Sequence, residues 1–169
     1  MALDPKPVPV RLENLTTDPA ASKAAMLVLA EEDGTRTLTI FIGLLEAGAI
    51  ASAMEGVVPP RPMTHDLVVH LMEDLEARLQ RVEITDLREG TFFGVLVLEH
   101  HDRTVLVDCR PSDAIAVAVR VGVPILVHPD VFEKAERPPA DAGTGRGEGE
   151  IWKEILEEMD EDDFGKYRM

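Results

Sequence analysis

Apolar and polar positions along the chain alternate between two rhythms, one of period two and one near four. Val8 to Thr17 reads as a first strand. Pro7 and Pro9 mark it as an edge strand, because proline cannot donate to a ladder. The apolar runs Ala24 to Glu32 and Arg36 to Ile42 are joined by Glu-Asp-Gly-Thr. Asp-Gly between two such runs signals a β-hairpin. Gly43 ends the second run, and "LLEAGAIASAMEG" follows as a helix closed by Gly56. Its small residues suit close packing against a sheet or another chain. "VVPPRPM" is a stiff extended connector, since Pro59, Pro60 and Pro62 forbid helix continuation.

Thr64 is an expected N-cap for the helix "HDLVVHLMEDLEARLQ". Leu67, Leu71, Leu75 and Leu79 recur every four residues, with Val68 and Met72 beside them, which predicts an amphipathic helix. The segment from Arg81 to Cys109 reads as a three-stranded meander, with turns at "LREG" and "EHHDR". Its middle run places Phe93, Val95 and Val97 on one side and Phe92, Leu96 and Leu98 on the other, the mark of a central strand. "PSDAIAVAVRVG" gives the next helix, "VPILVH" a short strand and "PDVFEKAE" a short helix.

"RPPADAGTGRGEGE" has the composition of a flexible linker. "IWKEILEEMDEDDF" predicts a final amphipathic helix docking through Ile151, Trp152, Ile155 and Met159. The expected division is a domain over 1–135, a linker over 136–149 and an acidic helix and tail over 150–169. The fold class is α+β: mixed, largely antiparallel sheets with helices packed on them. "TLTIFIGLLEAGAIASAM" and "TVLVDCRPSDAIAVAV" share a strand, a break and an acid-Ala helix start, which raises an internal hairpin-helix duplication.

With 169 residues, 45% of them hydrophobic, the chain suits one domain with a true core. Aromatics are 4%, so aliphatic residues must fill it. One cysteine, Cys109, leaves no internal disulfide, and a cytoplasmic location is expected. The N-terminus lacks a signal-peptide pattern, and no apolar run suits a membrane span. The net charge is −15; residues 150–169 hold eight acids and three basic residues, so −10 belongs to the rest. That disfavours nucleic acid as a tightly held, sequence-independent partner, because phosphate affinity comes from Lys and Arg.

The polar residues that stand out crowd two helix starts. Asp108, Arg110, Ser112 and Asp113 meet at a strand-to-helix corner. Pro111 suits the first helical position, and Ser112 or Asp113 can cap it or complement the dipole. Capping leaves Arg110 and Asp108 unexplained; Asp108 shares a strand face with Leu106. Corners of this kind hold ligands in many folds. Arg120 shares a helical face with Asp113 and reads equally as a solvated end-of-helix cation. In "RPMTHDL", Arg61, His65 and Asp66 again precede a helix, and His65 suits a general base or a metal ligand. His70, between Asp66 and Asp74 on one face, reads as solvated. Glu46 falls with Ile50 and Ala53 by helical spacing, so a partly buried carboxylate is expected, with Arg61 or Arg110 as its partner. Asp86 stands at a strand end, where an Asx-type turn explains it. Nucleotide-binding, serine-hydrolase, zinc-protease and Cys-X-X-Cys motifs are all missing.

Three separated stretches, "EGVVPPRPMTHDL", "ITDLREGTFFGVLVL" and "RPSDAIAVAVRVGVPILV", together resemble the bifunctional nuclease domain family, from about Val8 to Phe132. The terminal "MDEDDFGKYRM" resembles the tail that often follows that domain. The resemblance implies a compact α+β fold, a homo-oligomer and, by analogy with plant members, degradation of both DNA and RNA. Its characteristic polar positions fall on Glu46, Arg61, His65, Asp66, Asp86, Asp108, Arg110, Ser112 and Asp113. Fold and family do not by themselves establish chemistry.

Two readings follow. In the first, the chain is a metal-dependent phosphodiesterase. Glu46, Asp86, Asp108 and Asp113 would ligate Mg²⁺ or Mn²⁺, His65 would be the base, and Arg61 and Arg110 would hold the phosphate, with Asp66 and Ser112 beside them. It predicts carboxylates converging on one point. In the second, the chain is a non-enzymatic oligomeric binding or regulatory module, and Arg61 and Arg110 each already hold a carboxylate.

Overall fold

The structure is a computed structural model and describes residues 6–17 and 24–136. The linker and acidic tail expected beyond that point lie outside the described residues. Among the described residues, seven strands form one sheet, β1 (Val8–Thr17), β2 (Ala24–Glu31), β3 (Thr37–Gly43), β4 (Arg78–Arg88), β5 (Thr91–His100), β6 (Arg103–Cys109) and β7 (Ile125–Val127), and four helices accompany them, α1 (Leu44–Met54), α2 (Thr64–Asp74), α3 (Pro111–Val121) and α4 (Pro129–Glu136).

The strand order is β3-β2-β1-β7-β4-β5-β6. Two antiparallel meanders, β1–β3 and β4–β6, are joined through β7, which is parallel to β4 and antiparallel to β1. The fold is α+β with a mixed, mainly antiparallel sheet. α4 touches both β3 and β4, which β2, β1 and β7 separate in the sheet, so the sheet curls. Each meander ends in a hairpin followed by a helix, β2-β3-α1 and β5-β6-α3.

Tight turns make the meanders. His101 and Asp102, at φ 46° and 59°, join β5 to β6, and Glu89 and Gly90, at φ 48° and 77°, join β4 to β5. Two successive positive φ values give the twist that a two-residue hairpin needs. β5 lies between two strands, as its two-sided apolar pattern predicts. β1 does not lie at an edge; it is flanked by β2 and β7. Pro9 is accommodated because the ladder to β2 begins only at Val10, so its missing N–H removes no bond there.

The core is aliphatic. Leu27, Leu29, Leu38, Ile50, Ile84, Ile115 and Val131 are all at or below 1% exposure, with Phe132 the one fully buried aromatic among the described residues. α3 is the central helix, with Ala114 through Ala118 all buried. α1 and α2 both pack on it, and the alanines of α1 and α3 allow that approach. α3 ends at Gly122, left-handed at φ 77°, as glycine permits. At its other end, a Cβ on Gly94 of β5 would lie 3.1 Å from the Cys109 carbonyl and 3.3 Å from the Pro111 backbone. Glycine there lets the start of α3 rest directly on the sheet.

α2 departs most from expectation. It stops at Asp74, and Glu76 at φ 56° turns the chain into β4. Leu79 is therefore a buried strand residue paired with Leu98, not the fourth leucine of a helix. The other three leucines face outward: Leu67 is 53%, Leu71 50% and Leu75 65% exposed. The stripe that packs inward is His65, Val68, Val69 and Met72, the same spacing shifted round the helix.

An ion pair stands at the β2–β3 hairpin. Glu31, 8% exposed, accepts from Arg36 Nε at 2.9 Å and Nη2 at 2.6 Å and from the Thr35 hydroxyl at 2.8 Å. The Arg36 guanidinium stacks 4.6 Å above the Phe132 ring. The Arg36 bonds hold the Glu31 carboxyl below its ordinary value against the cost of burial.

Candidate functional site

α3 starts at an N-cap, Arg110, that makes no side-chain capping bond. Neither Ser112 nor Asp113 caps the helix as expected. Pro111 takes the first helical position, and Ser112, 7% exposed, packs inward at the second. Asp113 at the third position turns its carboxylate to two other side chains. Arg110 Nε donates to Asp113 Oδ2 at 2.8 Å and Nη2 to Oδ1 at 3.1 Å. His65 Nε2 meets Asp113 Oδ1 at 3.1 Å. The remaining fork of Arg110, Nη1, donates to Glu46 Oε1 at 2.9 Å.

Four residues from three helices thus meet: Glu46 from the first turn of α1, His65 from the first turn of α2, and Arg110 and Asp113 from the start of α3. Their exposures are graded. The His65 side chain is 14% exposed, Glu46 22%, Asp113 32% and Arg110 66%, so the guanidinium is the group that faces solvent. Burial opposes ionisation of Asp113, yet the bonds from Arg110 and His65 hold its carboxyl below the ordinary range. The same carboxylate, then Glu46, pushes Arg110 still further into its charged form. An ionised carboxylate only accepts, so a neutral His65 that bonds Asp113 carries its proton on Nε2.

Beside the cluster lies a cleft of about 300 Å³, lined by Gly43, Glu46, Thr91, Phe92, Arg110 and Ser112. A larger cleft, about 750 Å³, lies between α2 and the β5–β6 turn and contains none of the nine expected positions. Its lining sets four carboxylates, Glu73, Glu76, Glu99 and Asp102, against one arginine, Arg78, an acidic balance that disfavours phosphate.

Asp66 belongs to a neighbouring arrangement. Met63, not Thr64, is the N-cap of α2, and its N–H donates to Asp66 Oδ2 at 2.8 Å. Asp66 Oδ1 accepts from Arg120 Nε at 2.6 Å. Arg120 is 10% exposed, and its Nη1 also donates to the carbonyls of Ala49 at 3.1 Å and Ala116 at 2.9 Å. It is a buried clamp joining α1, α2 and α3, not a solvated end-of-helix cation. The signal for it was a lone arginine inside an Ala/Val helix, two turns after Asp113. His70 is exposed, as expected.

The remaining positions stand apart. Asp86 pairs in register with Phe93 and Asp108 with Val95, on the sheet face opposite Leu96 and Leu98. Asp86 is held by Arg88 and by Lys134 of α4, which, Lys134 first, draw its carboxyl well below the ordinary range. That ion pair, not an Asx turn, explains it. Asp108 is exposed, and Arg61 is exposed with no ion pair among the described residues. The sheet therefore separates Asp86 and Asp108 from Glu46 and Asp113. The four carboxylates expected to ligate Mg²⁺ or Mn²⁺ do not converge, and no group of three His, Cys, Asp or Glu among the described residues could hold a metal. Where Glu46 and Asp113 do meet, the Arg110 guanidinium already occupies the cation position.

A curled α+β sheet with a His–Asp–Arg–Glu cluster where three helix starts meet defines a small domain with a polar site built on its helix layer. The chain belongs to the bifunctional nuclease domain family, whose model matches residues 27–139. It is similar to an uncharacterized protein of Mycobacterium tuberculosis, 44% identical over 146 residues, 82% of this chain and 87% of that one. It is also similar to bifunctional nuclease 2 of Oryza sativa, 31% identical over 114 residues, 65% of this chain and 35% of that one. Bifunctional nuclease 1 of Arabidopsis thaliana is 32% identical over 106 residues, 60% of this chain and 33% of that one. The chain thus spans about a third of these plant relatives. No helix among the described residues is long and apolar enough to cross a membrane.

Proposed function

We propose that the chain is a nuclease that hydrolyses phosphodiester bonds in DNA and RNA at the His65–Asp113–Arg110–Glu46 cluster. The observation that carries this reading is the His65–Asp113 bond beside the exposed Arg110 guanidinium. A base, the group that orients it and a cation for the phosphate share one corner. Arg110 meets two phosphate oxygens with its planar fork. As the oxygen of an attacking water bonds phosphorus, His65 accepts its proton at Nδ1, the P–O bond to the leaving sugar oxygen breaks, that oxygen takes a proton from solvent, and Asp113 stabilises the imidazolium. Water is the nucleophile common to both substrates, since DNA has no 2′-hydroxyl. Glu46 fixes the far side of Arg110. No step is routed through a metal. The family name and the plant relatives' names support the activity. The one cysteine supports a cytoplasmic protein.

The test is cleavage of single-stranded DNA and RNA in Mg²⁺, Mn²⁺ or EDTA. Wild type is compared with Asp113→Asn and His65→Ala, all shown folded by thermal melts. Loss of cleavage in both folded variants supports the site. Undiminished cleavage in both sinks it.

A second reading, a non-enzymatic binding or regulatory module, is favoured by one fact: both carboxylates of the cluster already answer the Arg110 charge. Absence of cleavage by the wild type in every metal and in EDTA selects that reading.

A further inference from the structure

Among the described residues β6 is an unprotected edge. Among the described strands it pairs with β5 alone, and every residue from Arg103 to Asp108 is exposed. Its apolar centre is open on both faces: Val105 and Val107, opposite Leu98 and Leu96, are 38% and 40% exposed, and Leu106 on the other face is 66% exposed. Monomeric proteins blunt such edges with lysine, proline, a bulge or a covering element. β6 has no lysine and no proline, and its register with β5 runs without a break from Gly94↔Cys109 to His100↔Arg103. The other edge, β3, buries Leu38, Ile40 and Ile42 beneath α1 and α4.

We propose that β6 joins two copies of this chain, antiparallel about a two-fold axis through Leu106, into one continuous sheet. An axis normal to the sheet keeps both helix layers on the same side, and it is met when Leu106 faces its own counterpart. Val105 then faces the partner's Val107, and Thr104 faces the partner's Asp108. Valine meets valine on the helix face, leucine meets leucine on the other, and the Thr104 hydroxyl donates to a carboxylate.

Charge selects the same occupant and orientation. The chain carries −15, which opposes contact between copies over most of its surface. β6 holds one arginine near one end and one aspartate near the other, so it is formally neutral. Antiparallel pairing sets the Arg103 end of one copy beside the Asp108 end of its partner. Parallel pairing would set like charges against each other.

The test is sedimentation of the full chain across a concentration series. The wild type is expected to dimerise reversibly. Leu106→Arg sets two guanidinium groups face to face and is expected to weaken the dimer about tenfold or more. Leu106 packs outside the core, so at dilutions where the wild type is monomeric the two are expected to melt alike, the variant falling behind only where the wild type is dimeric. In a Cys109→Ser background, Leu106→Cys is expected to oxidise to a disulfide-linked dimer, and Thr104→Cys is not. A wild type that stays monomeric at every concentration overturns the proposal. So does a dimer that survives Leu106→Arg, or one that Leu71→Arg on α2 abolishes while Leu106→Arg does not. Cross-linking through Thr104→Cys in place of Leu106→Cys overturns the register.

Discussion

Asp113→Asn isolates what the central carboxylate contributes, because asparagine keeps its shape and removes its charge. The wild-type carboxylate takes two bonds from Arg110 and one from His65. The Arg110 side chain is 66% exposed, so solvent screens that pair to about 0.2–1 kcal/mol. The His65 side chain is 14% exposed, and its bond is worth about 0.5–1.5 kcal/mol. The variant should lose about 1–2 kcal/mol at neutral pH. In a domain of this size that is a fall in Tm of about 3–8 °C. The pH dependence gives the sharper check. The folded Asp113 carboxyl titrates below its unfolded value, which is near 4. A group depressed in this way contributes its stability above the unfolded value and loses it as pH falls through the folded one. The Tm gap between wild type and variant should therefore be full from pH 5 to 7 and shrink steadily below about pH 4. Circular dichroism melts from acid to neutral pH read it directly. A gap that stays constant through the acid range refutes the reasoning, since the carboxylate charge then plays no part. If the cluster is the nuclease site, kcat/KM falls about 100- to 10,000-fold in the same variant.

Arg120→Ala removes the clamp on three helices and strands Asp66; a loss of about 2–4 kcal/mol is expected from urea titration, and a change under 0.5 kcal/mol would count against the clamp. Lysine at 120 should recover little of it, since it lacks the fork that meets a carboxylate and two carbonyls together. Gly43→Ala puts a Cβ 2.3 Å from Glu46 Oε2. That side-chain end can swing away, so stability should change by less than about 1 kcal/mol while the Glu46–Arg110 bond is lost and cleavage falls; cleavage equal to wild type argues that Glu46 does not hold Arg110 in place. Burial, with Asp113 and Asp108 nearby, pushes the Cys109 thiol up to about 11. Alkylation at pH 8 should be slow in the native protein and fast in urea, and rapid native labelling contradicts that environment.

What the sequence made legible was local. Asp-Gly marked the β2–β3 hairpin, Pro111 marked the start of α3, and the two-sided pattern of Phe92 to Leu98 marked a strand with neighbours on both sides. What it concealed was tertiary choice. The leucines at 67, 71 and 75 and the set at 65, 68, 69 and 72 are both helical stripes, and spacing alone cannot say which one the rest of the fold covers. Proline at position 9 read as an edge signal because the sequence does not reveal that the ladder to β2 starts one residue later.

The site divides along the same line. Glu46, His65, Arg110 and Asp113 all sit in the first turn of a helix or just ahead of it: Asp113 was visible from dipole logic, His65 from its acid-base chemistry, Glu46 from helical spacing, and Arg110 as the residue that capping left unexplained. The packing of α1 and α2 on α3 then made one cluster of residues far apart in sequence. Asp86 and Asp108 were drawn from strands, where a side chain's face depends on parity. β6 is apolar on both faces, Val105 and Val107 on one and Leu106 on the other, so parity alone leaves Asp108 unassigned. The register with β5 decides it, and Asp108 falls opposite Val95, away from the helices. Helix-start residues were thus recoverable by chemistry, whereas strand residues required the pairing. That contrast also marks β6 as the odd strand: a strand with two apolar faces usually has both covered, and this one leaves both open, which is the opening the proposed pairing of two copies would close.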